Sequence, residues 1–490
     1  MARQTESEMS VVSWKRLFLI ALGLCGVQFC WAIQVGNTTR SLLELGLDPE
    51  LVSMAWLAGP IAGIIVQPLV GTLSDRYETR MGKRTPFILA GSFFSAVALL
   101  LFGNAEQLGK WLGDVSNDVS VNSNRMEKMN VSHYGLVIAV VAFWLLDFSL
   151  NAVQGPLRAL MADVAPSEQQ EQGNAFFALF TGVGNLLGNI LGSIPLSEYV
   201  NFISSDICGL YSVGAVIIIV TSCICGYFAN ERDMLSLKNY HTSHYYLTFE
   251  SSQLMEESSP FGEETRNQGQ EDIGERFGMR QITQILRDAP FPFWKLFLIQ
   301  CFTWFAWFTE FVFITSWMGS EVLQGNPNAP EGSKSRLSFD YGVRMGNVGL
   351  SLQSVVAIAY SLVLPRLVKV AGIKFCYILA HFLLGFCLCW TPILTKLHSV
   401  GWSIVAIALL GIPWASTITI PWAILSRSLR AHVPERMGMY STLFNASQCF
   451  PEILVSIVAE KLLARLSRQT TILAMGGVMA WLGSSWIFTL

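Results

Sequence analysis

The sequence predicts an all-α membrane protein: twelve transmembrane helices in two six-helix bundles, joined by a long polar linker. Three observations predict it. Over 490 residues, 52% are hydrophobic and 14% charged, against about 25% charged in a soluble domain of ordinary composition. The apolar residues come in about twelve blocks, each near the roughly 20 residues that one bilayer crossing needs. The stretch 229–292, rich in Glu, Ser, Gln and Asn, stands between the first six blocks and the last six. Low apolarity with like charges predicts a linker that is largely disordered.

In chain order, residues 1–16 are polar and end in Lys15 and Arg16. The apolar block that follows carries no small-residue cleavage site, so it reads as an uncleaved first helix. The N-terminal bundle occupies 17–228, with spans expected at 17–36, 50–72, 87–103, 135–155, 173–193 and 208–228. The C-terminal bundle occupies 293–490, with spans at 293–316, 343–364, 375–394, 401–423, 438–458 and 470–490. A cytoplasmic N-terminus puts most of the 32 Lys and Arg residues on the cytoplasmic side, as the positive-inside rule requires. The C-terminus is then cytoplasmic too. Asn130-Val131-Ser132 falls in an outer loop and is a usable glycosylation sequon.

Composition also excludes some classes. The net charge of −3, without a basic arm, gives no reason to expect a nucleic-acid partner. The 10 cysteines lie mostly inside apolar blocks and have neither disulfide nor metal spacing. No metal or other cofactor is expected. No nucleophile elbow or paired metal-ligand motif supports an intramembrane enzyme.

Polar residues inside the apolar blocks carry the functional signal, because each is expensive in hydrocarbon unless it lines a cavity. In the fourth span Asp147, Asn151, Gln154 and Arg158 follow at steps of four, three and four, which places them on one helical face. Asp147 is the proton-site candidate. Burial and a nearby cation act in opposite senses on a carboxyl group, so a moving partner can switch its protonation. Arg158 lies eleven residues further on, about 16 Å along a helix. Direct pairing needs a bend at Gly155-Pro156 or a substrate shared by both groups. The alternative is an interfacial arginine that snorkels.

The first span offers Gln28, Trp31 and Gln34, amides and an indole that suit a hydroxyl-rich ligand or bond helix to helix. The fifth has Gly184, Gly188 and Gly192, which read as a packing stripe. The seventh joins Trp304 and Trp307, rings able to stack on a sugar face, to an embedded Glu310. The eleventh carries Asn445, Gln448 and Glu452 as a second polar stripe. His381 reads as a packing histidine. The loop after the second span holds Gly71, Asp75, Arg76, Arg80, Gly82, Lys83 and Arg84. Such a charge cluster can latch the bundles on the cytoplasmic side or simply anchor the topology. Its spacing, GxLSDRxxxRxGKR, resembles the loop signature of the major facilitator superfamily.

Longer stretches extend the likeness. AWLAGPIAGIIVQPLVGTLSDRYETRMGKRTPF, WLLDFSLNAVQGPLRALMAD, GNAFFALFTGVGNLLG, WFAWFTEFVFITSWMGSEV and DYGVRMGNVGL resemble the plant sucrose–proton symporters. They are similar also to the fungal and animal relatives of these among the glycoside-type cation symporters. The resemblance implies the twelve-helix major facilitator fold with one sugar site between the halves. It ties Asp147 and Arg158 to proton coupling and sucrose binding. Where the family has an acidic pair late in the seventh helix, this chain has Ile314 and Ser316. Glu310, one turn before Ile314, is the expected substitute. The following family glutamate is matched by Glu321, and a basic residue that can precede it by Ser320. These departures leave sucrose, maltose and other α-glucosides open.

The expected function is proton-coupled import of such a sugar by alternating access, driven by the proton gradient. The expected partners are the sugar, protons, the lipid bilayer and a regulatory protein at the 229–292 loop. The expected location is the plasma membrane, with a vacuolar or other internal membrane open. A sugar sensor of the same fold and a carrier of a different sugar are the competing readings.

Overall fold

The computed structural model describes residues 12–77, 79–114, 133–166, 169–199, 204–229, 287, 289, 291–330, 332–432, 437–466 and 468–488. Asn130 and nearly all of the 229–292 linker, with its proposed partner site, lie outside the described residues.

Among those residues the long elements are all helices, and eleven are long and apolar enough to cross a membrane. The N-terminal half comprises Trp14–Glu44, a second span split into Pro49–Ala55 and Ala58–Arg76, then Thr85–Gly103, His133–Val164, Gln170–Ser193 and Asp206–Ala229. The C-terminal half opens with Phe291–Trp317, extended by a π-helical turn at Met318–Val322. Lys334–Ala371, Ile373–Leu397, a tenth span split into Val400–Leu409 and Gly411–His432, Met437–Leu466 and Gln469–Ile487 follow. Met437–Leu466 is the eleventh span, and it carries Asn445, Gln448 and Glu452. Several helices outrun their apolar blocks. The first reaches Glu44, and the eighth begins at Lys334.

The fourth span removes one of the alternatives that the sequence leaves open. It runs unbroken from His133 to Val164 with Pro156 inside it, so nothing bends Arg158 back toward Asp147. Neighbouring helices tolerate a proline's lost hydrogen bond in a packed bundle. Gly155 leaves room for the second span, since a Cβ there would stand 4.0 Å from the carbonyl of Gln67.

Burial sorts the faces. Leu146, Leu150, Val153 and Leu157 are buried in the N-terminal half, while Ile65, Phe93, Val137, Val141 and Val216 are exposed. An exposed apolar belt on helices of this length suits lipid and is the mark of a multi-pass membrane protein. Below, the proximal end is the one where the first span begins, and the distal end is the opposite one.

Candidate functional site: a polar layer between the two halves

Asp147 sits in the middle of the fourth span and has no exposed surface. Its Oδ1 accepts a 2.6 Å hydrogen bond from Gln34 Nε2 of the first span. Its Oδ2 accepts none. The second span passes beside it, where a Cβ on Gly59 would lie 3.8 Å from that free oxygen. No cation neutralises the carboxyl among the described residues. Glu452 of the eleventh span, from the other half, is close enough for the two acids to act on each other electrostatically.

One turn toward the proximal end the layer continues. Asn151 Oδ1 accepts from Gln67 Nε2 at 2.7 Å, and Gln67 Oε1 is 3.5 Å from Asn445 Nδ2. Asn151 also donates to the carbonyl of Asp147. Gln67 thus links the fourth span to the eleventh and the two halves to each other. Its own sequence gave it no prominence, since it is a lone amide in an apolar run. Gln154 is half-buried, and Arg158 at the end of the stripe is exposed. Gln448 lies beside Glu452 on the same helix.

The remaining candidates divide. Gln34 reaches the acid, but Gln28 turns toward the fifth span, where its Cβ is 2.9 Å from the position of a Cβ on Gly184. Trp31 is half-buried against the apolar core. Trp307 is fully buried, donates its indole N–H to Thr417 at 3.1 Å and packs edge-on against Trp414. In this conformation Trp307 serves packing rather than a ligand surface. Trp304 stands half-buried beside the same Trp414. Glu310 is fully buried, and Gln353 of the eighth span adjoins it.

Glu321 is engaged within its own half. Its carboxyl accepts the backbone N–H groups of Gln469 and Thr470, so it caps the twelfth span, where the helix dipole favours an anion. Ser316 is spent within the same half on Gln469 Oε1. His381 is the packing histidine expected, bonded to Thr303 and to the carbonyl of Tyr377.

The loop after the second span holds the N-terminal half together. Arg84 bonds Ser74 Oγ at 2.6 Å and pairs with Asp163 at 3.1 Å, joining the proximal ends of the second, third and fourth spans. Arg76 and Arg80 are exposed, Lys83 is half-buried and Gly82 takes a left-handed turn. Gly71 sits where a Cβ would meet nothing within 4 Å. The side chain of Asp75 lies outside the described residues.

The latch between the halves is at the opposite, distal end. Arg40 and Glu44 of the first span face Arg336 and Asp340 of the eighth. Arg40–Asp340 and Arg336–Glu44 are each 2.9 Å apart. Arg344 reaches back to Asp206 of the sixth span at 2.9 Å. Below these charges Thr39 donates to the carbonyl of Val312, Ser53 to that of Ser456, and Asn347 lies against Gly36. Sequence reading missed this network. Its signal was the i, i+4 spacing of Arg336, Asp340 and Arg344 and of Arg40 and Glu44.

Two six-helix halves that meet at a buried polar layer, latched at one end, match a known sequence profile, that of the Major Facilitator Superfamily, over residues 20–456. The chain belongs to that superfamily. Similar relatives include sucrose transport protein SUT2 of Oryza sativa subsp. indica, 29% identical over 474 residues, covering 91% of this chain and 86% of the relative. Sucrose transport protein SUC3 of Arabidopsis thaliana is 28% identical over 510 residues, covering 93% and 83%. Among solved structures, a POT family transporter in complex with 5-aminolevulinic acid gives a TM-score of 0.60 at 10% identity, over 97% of this chain and 95% of that one. The xylose transporter XylE from E. coli, partially occluded and inward open, gives 0.58 at 13% identity, over 98% and 99%. At such identities the structures speak for the major facilitator fold alone.

Proposed function

We propose that this major facilitator protein is a proton-coupled importer of sucrose or a related α-glucoside such as maltose. The relatives named sucrose transport proteins suggest the cargo. The observation that carries the coupling is the Asp147 carboxyl, fully buried, without a counter-cation among the described residues, and bonded to Gln34 at the seam between the halves. Such a group is costly to ionise where it sits, so its protonation belongs to the transport cycle.

In this reading the proximal end is cytoplasmic and the membrane is the plasma membrane. The proton reaches Asp147 when the distal end is open. Neutral Asp147 permits the halves to close over the sugar, and the distal ion pairs form. The stripe through Asn151 and Gln154 then leads toward Arg158, which draws the departing sugar's hydroxyl groups and disfavours a proton nearby. The test is uptake of labelled sucrose and maltose in host cells without carriers of their own. Uptake above the external level that disappears when the proton gradient is collapsed supports the reading, and equal uptake in both conditions removes the coupling.

A further inference from the structure

In the reading above the proton belongs to one carboxyl, and a second lies within electrostatic range of it. Glu452, only 8% exposed, projects from the middle of the eleventh span. The second span crosses the eleventh in a regular antiparallel register. Ser53 bonds the carbonyl of Ser456, Gly63 faces Cys449 Sγ, and Gln67 meets Asn445. That register puts Gly59 level with Glu452, and Gly59 is the residue that faces Asp147 Oδ2. The two acids therefore approach each other past a position that has no side chain.

Among the described residues, the groups around them offer no positive charge. Asp147 bonds Gln34 of the first span and lies within electrostatic range of Tyr211 of the sixth and Glu452 of the eleventh. Glu452 meets Gln448 and Cys449 of its own helix. Two like charges in a site poor in water cannot both ionise cheaply, and one proton between them relieves the repulsion.

We propose that Asp147 and Glu452 form one proton-binding site, which holds a single proton between the two halves while the distal end is closed. This rests on the reading of Asp147 as the proton carrier and adds the residue that shares it. The shared proton acts as a strut between the halves. Its departure to the proximal side leaves two carboxylates face to face and drives the fourth and eleventh spans apart.

The experiment is sugar uptake by the full-length protein as a function of external pH. Glu452→Gln removes the second acid, so Asp147 releases its proton more readily and the pH of half-maximal uptake falls by about one unit or more, the coupling that defines a shared titration. Glu452→Asp keeps a carboxyl in place and stays nearer the parent profile. An unshifted profile in Glu452→Gln overturns the proposal. Infrared titration of the purified parent protein gives a readout independent of any variant. The pair predicts two buried-carboxyl steps separated by more than about one unit, and coincident steps overturn it. Asp147→Asn separates the two ideas: accumulation that survives in it removes the underlying reading whatever Glu452 does. Loss in Asp147→Asn with an unshifted Glu452→Gln profile rejects the shared site alone.

Discussion

A single hydrogen bond, from Gln34 to Asp147, tunes the central acid. A donor to a carboxyl oxygen favours the ionised form, the opposite of what Glu452 does. Gln34→Leu therefore moves the pH of half-maximal uptake upward, a sign opposite to that of Glu452→Gln. The same pH series checks it, and a shift downward would assign Gln34 some other role. The face that holds Asp147, Asn151 and Gln154 was legible in the sequence because side chains three and four residues apart share a helical face. The partners of that face were not legible. Gln67 and Glu452 belong to other helices, and nothing in the local spacing says which helix will lie opposite.

At the scale of elements, the glycine stripe of the fifth span is a packing device, as its four-residue steps imply. A Cβ on Gly188 would stand 2.7 Å from that of Ala32 and 2.9 Å from the carbonyl of Phe29, so the first and fifth spans meet almost backbone to backbone. Gly188→Leu overpacks this seam at a cost of about 1–3 kcal/mol, and thermal unfolding in detergent should occur at a lower temperature. The cap on the twelfth span makes a second prediction. Glu321→Ala leaves two N–H groups without their acceptor, at a cost of about 1–2 kcal/mol. It should lower the melting temperature while leaving the pH profile of uptake unchanged. A shifted profile would return Glu321 to the transport site.

The whole molecule is held in its distal-closed state by charges that meet only when the halves do. Their side chains are between 8% and 17% exposed around Arg40 and Glu44, so removing one leaves its partners poorly solvated. Asp340→Asn should destabilise this state by on the order of 3 kcal/mol and favour opening at the distal end. Thiol labelling of an Asn37→Cys variant by a membrane-impermeant reagent checks it, with faster labelling expected when Asp340→Asn is added. Gly36 works through shape instead. A Cβ there would fall 2.0 Å from Asn347 Oδ1, so Gly36→Leu should prop the distal end open and raise the same labelling rate.

Hydropathy and helical periodicity are local properties of the chain, and they were enough to place the spans, though not their ends, along with the two halves and the polar stripes. They could not settle which stripe meets which, because contacts between helices far apart in sequence depend on packing. That packing alone brought Glu452 to Asp147, gave Glu321 to the twelfth span and Trp307 to its aromatic neighbours, and set the latch at the distal end.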